Sequence, residues 1–103
     1  FWNKYRNYLE WAYYLLQESE YNKAAKATLE AISHLDKEVP YRIYYLTACN
    51  YALAKKQDKA IEFLRKSLDQ CPREKMNEFK KHIFQDPNMK SIINTNKFKN
   101  LLL

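Results

Sequence analysis

The sequence contains no glycine among its 103 residues. Phosphate-binding P-loops, dinucleotide fingerprints and the G-x-S-x-G nucleophile elbow all require glycine, for close backbone approach to a ligand or for a strained turn. Those devices are excluded, and the commonest nucleotide-dependent and hydrolase chemistries go with them. Cysteine is scarce as well. Cys49 and Cys71 are the only two, without a C-x-x-C pair, so neither zinc-ligand spacing nor a disulfide framework is present. Both are expected as free thiols, Cys49 half-buried in a helix and Cys71 near a helix end. Free thiols favour a reducing, cytoplasmic compartment. No apolar run approaches the about 18 residues of a membrane-spanning helix. The chain begins at Phe1 rather than Met, so the reading expects a piece of a longer protein, with targeting signals beyond judgement.

What is present is aromatic and helical. Aromatics make up 16% of the chain and nine of them are Tyr, which suits close packing of helices around large side chains. A chain of 103 residues fits a single domain spanning residues 1–103. The net charge of +6 is uneven: residues 1–72 hold 11 Lys and Arg against 9 Asp and Glu, and residues 73–103 hold 7 against 3. A basic end can attract nucleic acid, an anionic membrane or an acidic protein. Because acids interleave with the bases, a solvated helix face is the simpler expectation.

Along the chain, Tyr5, Tyr8, Leu9, Trp11, Ala12, Leu15 and Leu16 recur at helical spacing, predicting a helix over residues 3–17. Ser19 and Glu20 form a turn. Residues 21–36 form a second helix, with Ala24, Ala27, Ala31, Ile32 and Leu35 inward. The pattern then returns after 36 residues. Tyr8 corresponds to Tyr44, Ala12 to Ala48, Ala24 to Ala60 and Ala31 to Ser67. Pro40 suits a first helical turn, where its missing N–H costs nothing, and Pro72 stops the second hairpin. Met76, Phe79 and Ile83 predict a further helix over residues 73–85. Asp86-Pro87 is a helix start, Asp as cap and Pro at the first position. A short helix through Ile92 and Ile93 is expected next, then a turn at Asn94-Thr95-Asn96, then a last helix over residues 97–103 carrying Phe98, Leu101 and Leu102. The fold class is therefore all-α, with about five main helices and two short C-terminal ones.

Set beside the pattern W-x2-L-G-x2-Y…A-x3-F…P, the stretch from Tyr41 to Pro72 resembles a tetratricopeptide repeat. Tyr44, Thr47, Ala48, Tyr51, Ala60, Leu64, Ser67 and Pro72 occupy the pattern positions. Tyr replaces Trp, Thr-Ala replaces Leu-Gly, Leu replaces Phe and Ser replaces the second Ala. The first hairpin resembles the same repeat, so the likeness covers about two-thirds of the chain. It implies a helical-hairpin solenoid: repeat 1 over about 5–38, repeat 2 over about 41–72, a capping helix over 73–85 and a C-terminal tail over 86–103. The tail resembles the short segment that often ends such arrays.

The resemblance also implies that the first helix of each hairpin lines a concave groove. It assigns Arg6, Leu9, Tyr13, Leu16 and Gln17 from the first hairpin to that groove, with Arg42, Tyr45, Cys49 and Leu53 from the second. Tyr, Leu and Arg are the residue types of which interface anchors are made. The Lys and Asn that hold a peptide carboxylate in some family members are replaced here by Leu9, Tyr13, Tyr45 and Cys49. An amphipathic helix or an apolar extended peptide is then the expected protein partner. Burial of these side chains against the chain's own third helix or tail is the competing expectation.

Enzymatic function is not expected. His34 and His82 are far apart in sequence and read as lone surface histidines beside no nucleophile. Glu18 and Glu20 flank a turn, and Asp69 and Asp86 lack metal-ligand spacing. No cofactor or metal is called for. RNA binding through Lys55, Lys56, Lys59, Lys80 and Lys81 is a weaker alternative. A structural or homo-oligomerising part of a larger chain is another.

Overall fold

The computed structural model describes residue 10, residues 13–33 and residues 39–103. Among the described residues every regular element is helical and there is no strand. Residues 13–17 are helical and are called α1. They are followed by α2 (Tyr21–Ser33), α3 (Tyr41–Leu53), α4 (Gln57–Gln70), α5 (Met76–Gln85) and α6 (Asn96–Leu102), with 3-10 turns at Arg73–Lys75 and Pro87–Met89. The all-α expectation therefore holds for these residues. Trp11, Ala12 and Leu35 lie outside them.

The α1/α2 and α3/α4 hairpins turn in the same way. Ser19 and Lys55, 36 residues apart, both have φ of 61°. Around the first, the Glu20 N–H donates to the Leu15 carbonyl at 2.8 Å and Ser19 N–H to Leu16 at 3.0 Å. Around the second, Lys56 N–H donates to Tyr51 at 2.9 Å and Lys55 N–H to Ala52 at 3.0 Å. This paired bonding satisfies the last carbonyls of a helix and requires one left-handed residue, a place glycine usually takes. With no glycine in the chain, Ser and Lys hold it at a steric cost of roughly 1–2 kcal/mol each.

Helix α3 is the centre of the packing, in contact with α2, α4 and the Pro87–Met89 turn. That is why its sequence is apolar on most faces: Ile43, Tyr45, Ala48, Cys49, Tyr51 and Ala52 are all buried. Pro40 precedes its first turn, where its carbonyl accepts from Ile43 N–H at 3.0 Å. Small side chains mark close approaches, and Ala24, Ala31, Ala48 and Ala60 are wholly inaccessible. The buried hydroxyls of Thr28, Thr47 and Ser67 each donate to a carbonyl one turn back in their own helix, at 2.7–2.9 Å. Asn50 has no such recourse. It is fully buried, and neither its amide nitrogen nor its oxygen has a hydrogen-bond partner.

The tail joins the same core. Met89, Ile92, Phe98 and Leu102 are buried with residues of α3, α4 and α5 in one cluster. Ser91 Oγ donates to the Ala52 carbonyl at 2.8 Å, and Thr95 caps α6 by accepting from Phe98 N–H at 3.2 Å. The short helix expected through Ile92 and Ile93 does not form. A 3-10 turn and further tight turns replace it, with Ile92 N–H bonded to Met89 and Thr95 N–H to Ile92, both at 3.0 Å. Ile93 N–H also donates to the Met89 carbonyl at 2.9 Å, and Met89 and Ile92 are both fully buried. Cys49 also differs from expectation, buried rather than half-buried on the most enclosed helix, whereas Cys71 stands at the end of α4 as expected. Both cysteines are unpaired. No helix among the described residues is long and apolar enough to cross a membrane.

Candidate functional site

Helices α3 and α5 run side by side in the same direction. Tyr41 meets Phe79 edge-on with ring centroids 4.9 Å apart, Tyr45 meets Phe79 at 5.3 Å and His82 at 5.6 Å. Further along, Cys49 reaches Asp86, just beyond the end of α5, at 3.9 Å. Between the two helices, with Leu16 of α1 on the rim, lies a cavity of about 680 Å³. Its walls are aromatic, and its charged groups are Arg42 and Lys75 near the helix starts, Glu78 one turn on, and Asp86 at the far end.

Asp86 is the chemical centre of this cavity. Its side chain is only 10% exposed. Oδ1 accepts from Asn88 N–H at 2.9 Å, capping the Pro87–Met89 turn as its sequence position predicts. Oδ2 accepts the Tyr45 hydroxyl, lies 3.9 Å from the Cys49 thiol and 3.6 Å from His82 Nε2. Burial, the neighbouring Cys49 and the bond to Asp86 push the Tyr45 phenol far above its ordinary value. Burial first, and Asp86 second, push the Cys49 thiol up to about 12.

His82 is thus not the lone histidine expected from the sequence. Its neighbours follow from the spacing His82-x3-Asp86, which brings residues four apart onto one face, and from the tertiary approach of α3, which spacing does not reveal. Cys, His and Asp in one cluster invite comparison with a nucleophile, its base and the group that orients the base. The order here is different. Asp86 sits between Cys49 and His82, and the thiol is held protonated rather than activated. Among the described residues, no group of three or more His, Cys, Asp and Glu side chains is arranged to hold a metal.

The residues assigned to a groove by resemblance divide into three sets. Leu16, Arg42, Tyr45 and Cys49 line the cavity together. Tyr13 and Gln17 are exposed on α1 and Leu53 is half-buried at the end of α3, none of them on the cavity wall. Arg6 and Leu9 lie outside the described residues, as does His34. Phe79, His82 and Asp86 also line the wall, and the sequence, which marks them as an inward helix residue, a lone histidine and a helix cap, does not assign them to the groove. Comparison of the chain with protein-family models, with curated proteins and with solved structures gave no match.

Proposed function

We propose that this chain is a tetratricopeptide-like, non-enzymatic binding module whose cavity between α3 and α5 receives a peptide or an amphipathic helix of a partner protein. The observation that carries the reading is the convergence of Leu16, Arg42, Tyr45 and Cys49, from two hairpins, on one cavity with Phe79. A recurrence of the same turn after 36 residues supports the repeat architecture. Aromatic walls with a few placed polar groups are what ligand sites of this size are made of. The protonated thiol and phenol leave the cluster without a ready nucleophile, which agrees with binding rather than catalysis.

The test is selection of peptides from a random library on the whole chain, followed by calorimetric titration of a synthetic selected peptide against wild type and Leu16→Asp. A charge on the rim should weaken a groove-bound peptide by about tenfold or more, by placing an unpaired carboxylate against apolar surface. Equal binding to both proteins would place the peptide elsewhere and sink the reading. A second reading has its own observation: Tyr45 is already 9% exposed and bonded to the chain's own Asp86. On that reading the cavity is a by-product of packing in a structural part of a larger chain, and no library peptide binds it.

A further inference from the structure

We infer that the cavity recognises a basic side chain, the guanidinium or ammonium group of a partner peptide, seated against Asp86 between aromatic rings. This rests on the groove reading and names the chemistry of its anchor. The first ground is an uncompensated charge. Asp86 is nine-tenths buried, yet its partners are a backbone N–H, a phenol and a thiol, all neutral, and its only facing base is the exposed imidazole of His82. No Lys or Arg of the described residues forms an ion pair with it. A carboxylate removed from water without a cation is costly, and a cation delivered by a ligand relieves that cost.

The second ground is the wall. Tyr41, Tyr45 and Phe79 offer ring faces and edges within one cavity, and the faces of such rings attract cations. The Arg42 guanidinium already stands 5.8 Å from the Tyr41 ring centroid, so one ring of the wall accepts that group in this protein. The third ground is polarity along the groove. Arg42 and Lys75 lie at the end where α3 and α5 begin, and Asp86 lies at the other. A basic side chain is therefore repelled from one end and drawn to the other. Glu78, exposed in the first turn of α5 three residues from Lys75, offsets part of the positive charge at that end. Tyr45 and Cys49 both have their proton affinity raised by the Asp86 charge among other causes, as a negative local potential requires.

The experiment uses the library-selected peptides on the whole chain. Their Arg or Lys is kept, or replaced by the neutral analogues citrulline or norleucine, and each is titrated against wild type and Asp86→Asn. Asparagine keeps an oxygen to accept from Asn88 N–H in the turn cap, and its amide NH2, in the place of Oδ2, can donate to the Tyr45 hydroxyl, so the substitution removes charge more than structure. The selected peptides should share a basic residue, and its neutralisation should weaken binding about tenfold or more, the range of hydrogen bonds to charged groups. Asp86→Asn should cause a similar loss, with little further loss when both changes are combined. Should Asp86→Asn fail to fold by circular dichroism, the citrulline and norleucine arms on wild type still decide. Peptides that bind wild type without a basic residue, or whose affinity ignores its neutralisation, overturn this inference and leave the groove reading standing. If no library peptide binds at all, the groove reading itself falls.

Discussion

Alkaline pH should unfold this protein through the Cys49–Tyr45–Asp86 cluster, and the size of the effect can be worked out. The Cys49 thiol moves from an ordinary value of 9.0 to about 12 in the folded state. Between those two values the unfolded chain releases a proton that the folded chain keeps. Stability from this group is therefore complete below pH 9 and falls as pH rises, by about 1.4 kcal/mol per pH unit. At pH 11 the loss from Cys49 alone is about 2.7 kcal/mol, a large share of the roughly 5–15 kcal/mol that stabilises a typical domain. The Tyr45 phenol, also raised from its ordinary value of 10.0, adds a second proton to the slope above pH 10. Urea denaturation of wild type and Cys49→Ala at half-unit steps from pH 8 to 11 measures this. The wild-type curve should fall away from the variant's above pH 9, with a difference in slope of about 1.4 kcal/mol per unit. Stability curves that stay parallel through pH 11 would refute the picture of a thiol buried against the Asp86 carboxylate.

Asn50→Ala should stabilise the fold by about 1–2 kcal/mol in thermal denaturation, because an unpartnered buried amide disappears and a better helix former replaces it. A loss of stability instead would mean that Asn50 is hydrogen-bonded. Lys55→Gly should gain up to about 1 kcal/mol by removing the steric cost of its left-handed backbone, less the extra freedom glycine has when unfolded. A shift of the urea midpoint to lower concentration would contradict that. Ala48→Leu should cost about 1–3 kcal/mol by overpacking at a fully inaccessible position. An unchanged midpoint would show that α3 has room there.

Much of the helical order was legible because periodicity is a local property. The alanines of α2, α3 and α4 mark close approaches in the sequence, and Ala24, Ala31, Ala48 and Ala60 are indeed inaccessible. Pro72, Asp86-Pro87 and Thr95 stop and start elements through their own backbone chemistry. Between Pro87 and Thr95 the sequence points to a short helix where the chain makes successive turns, because the apolar pair Ile92-Ile93 fits either period. The candidate site was legible only by half. Leu16, Arg42, Tyr45 and Cys49 could be placed on one surface from helical spacing and resemblance. Asp86 could be read as a cap, but a cap uses one oxygen, and nothing local tells where the other points. His82 likewise looks isolated, since its neighbour on α3, Tyr45, is 37 positions away in the chain.

Asp86 joins the tail to the wall of the cavity. One of its oxygens secures the turn from which the tail sets out, and the other holds the phenol on the cavity wall. Beyond that turn, Met89 and Ile92 carry the tail into the core. A ligand bound in the cavity would therefore meet the same carboxylate that secures the start of the tail. A ligand that draws on the carboxylate changes how firmly the tail is held, and by reciprocity a change in the tail alters the affinity of the cavity by the same factor.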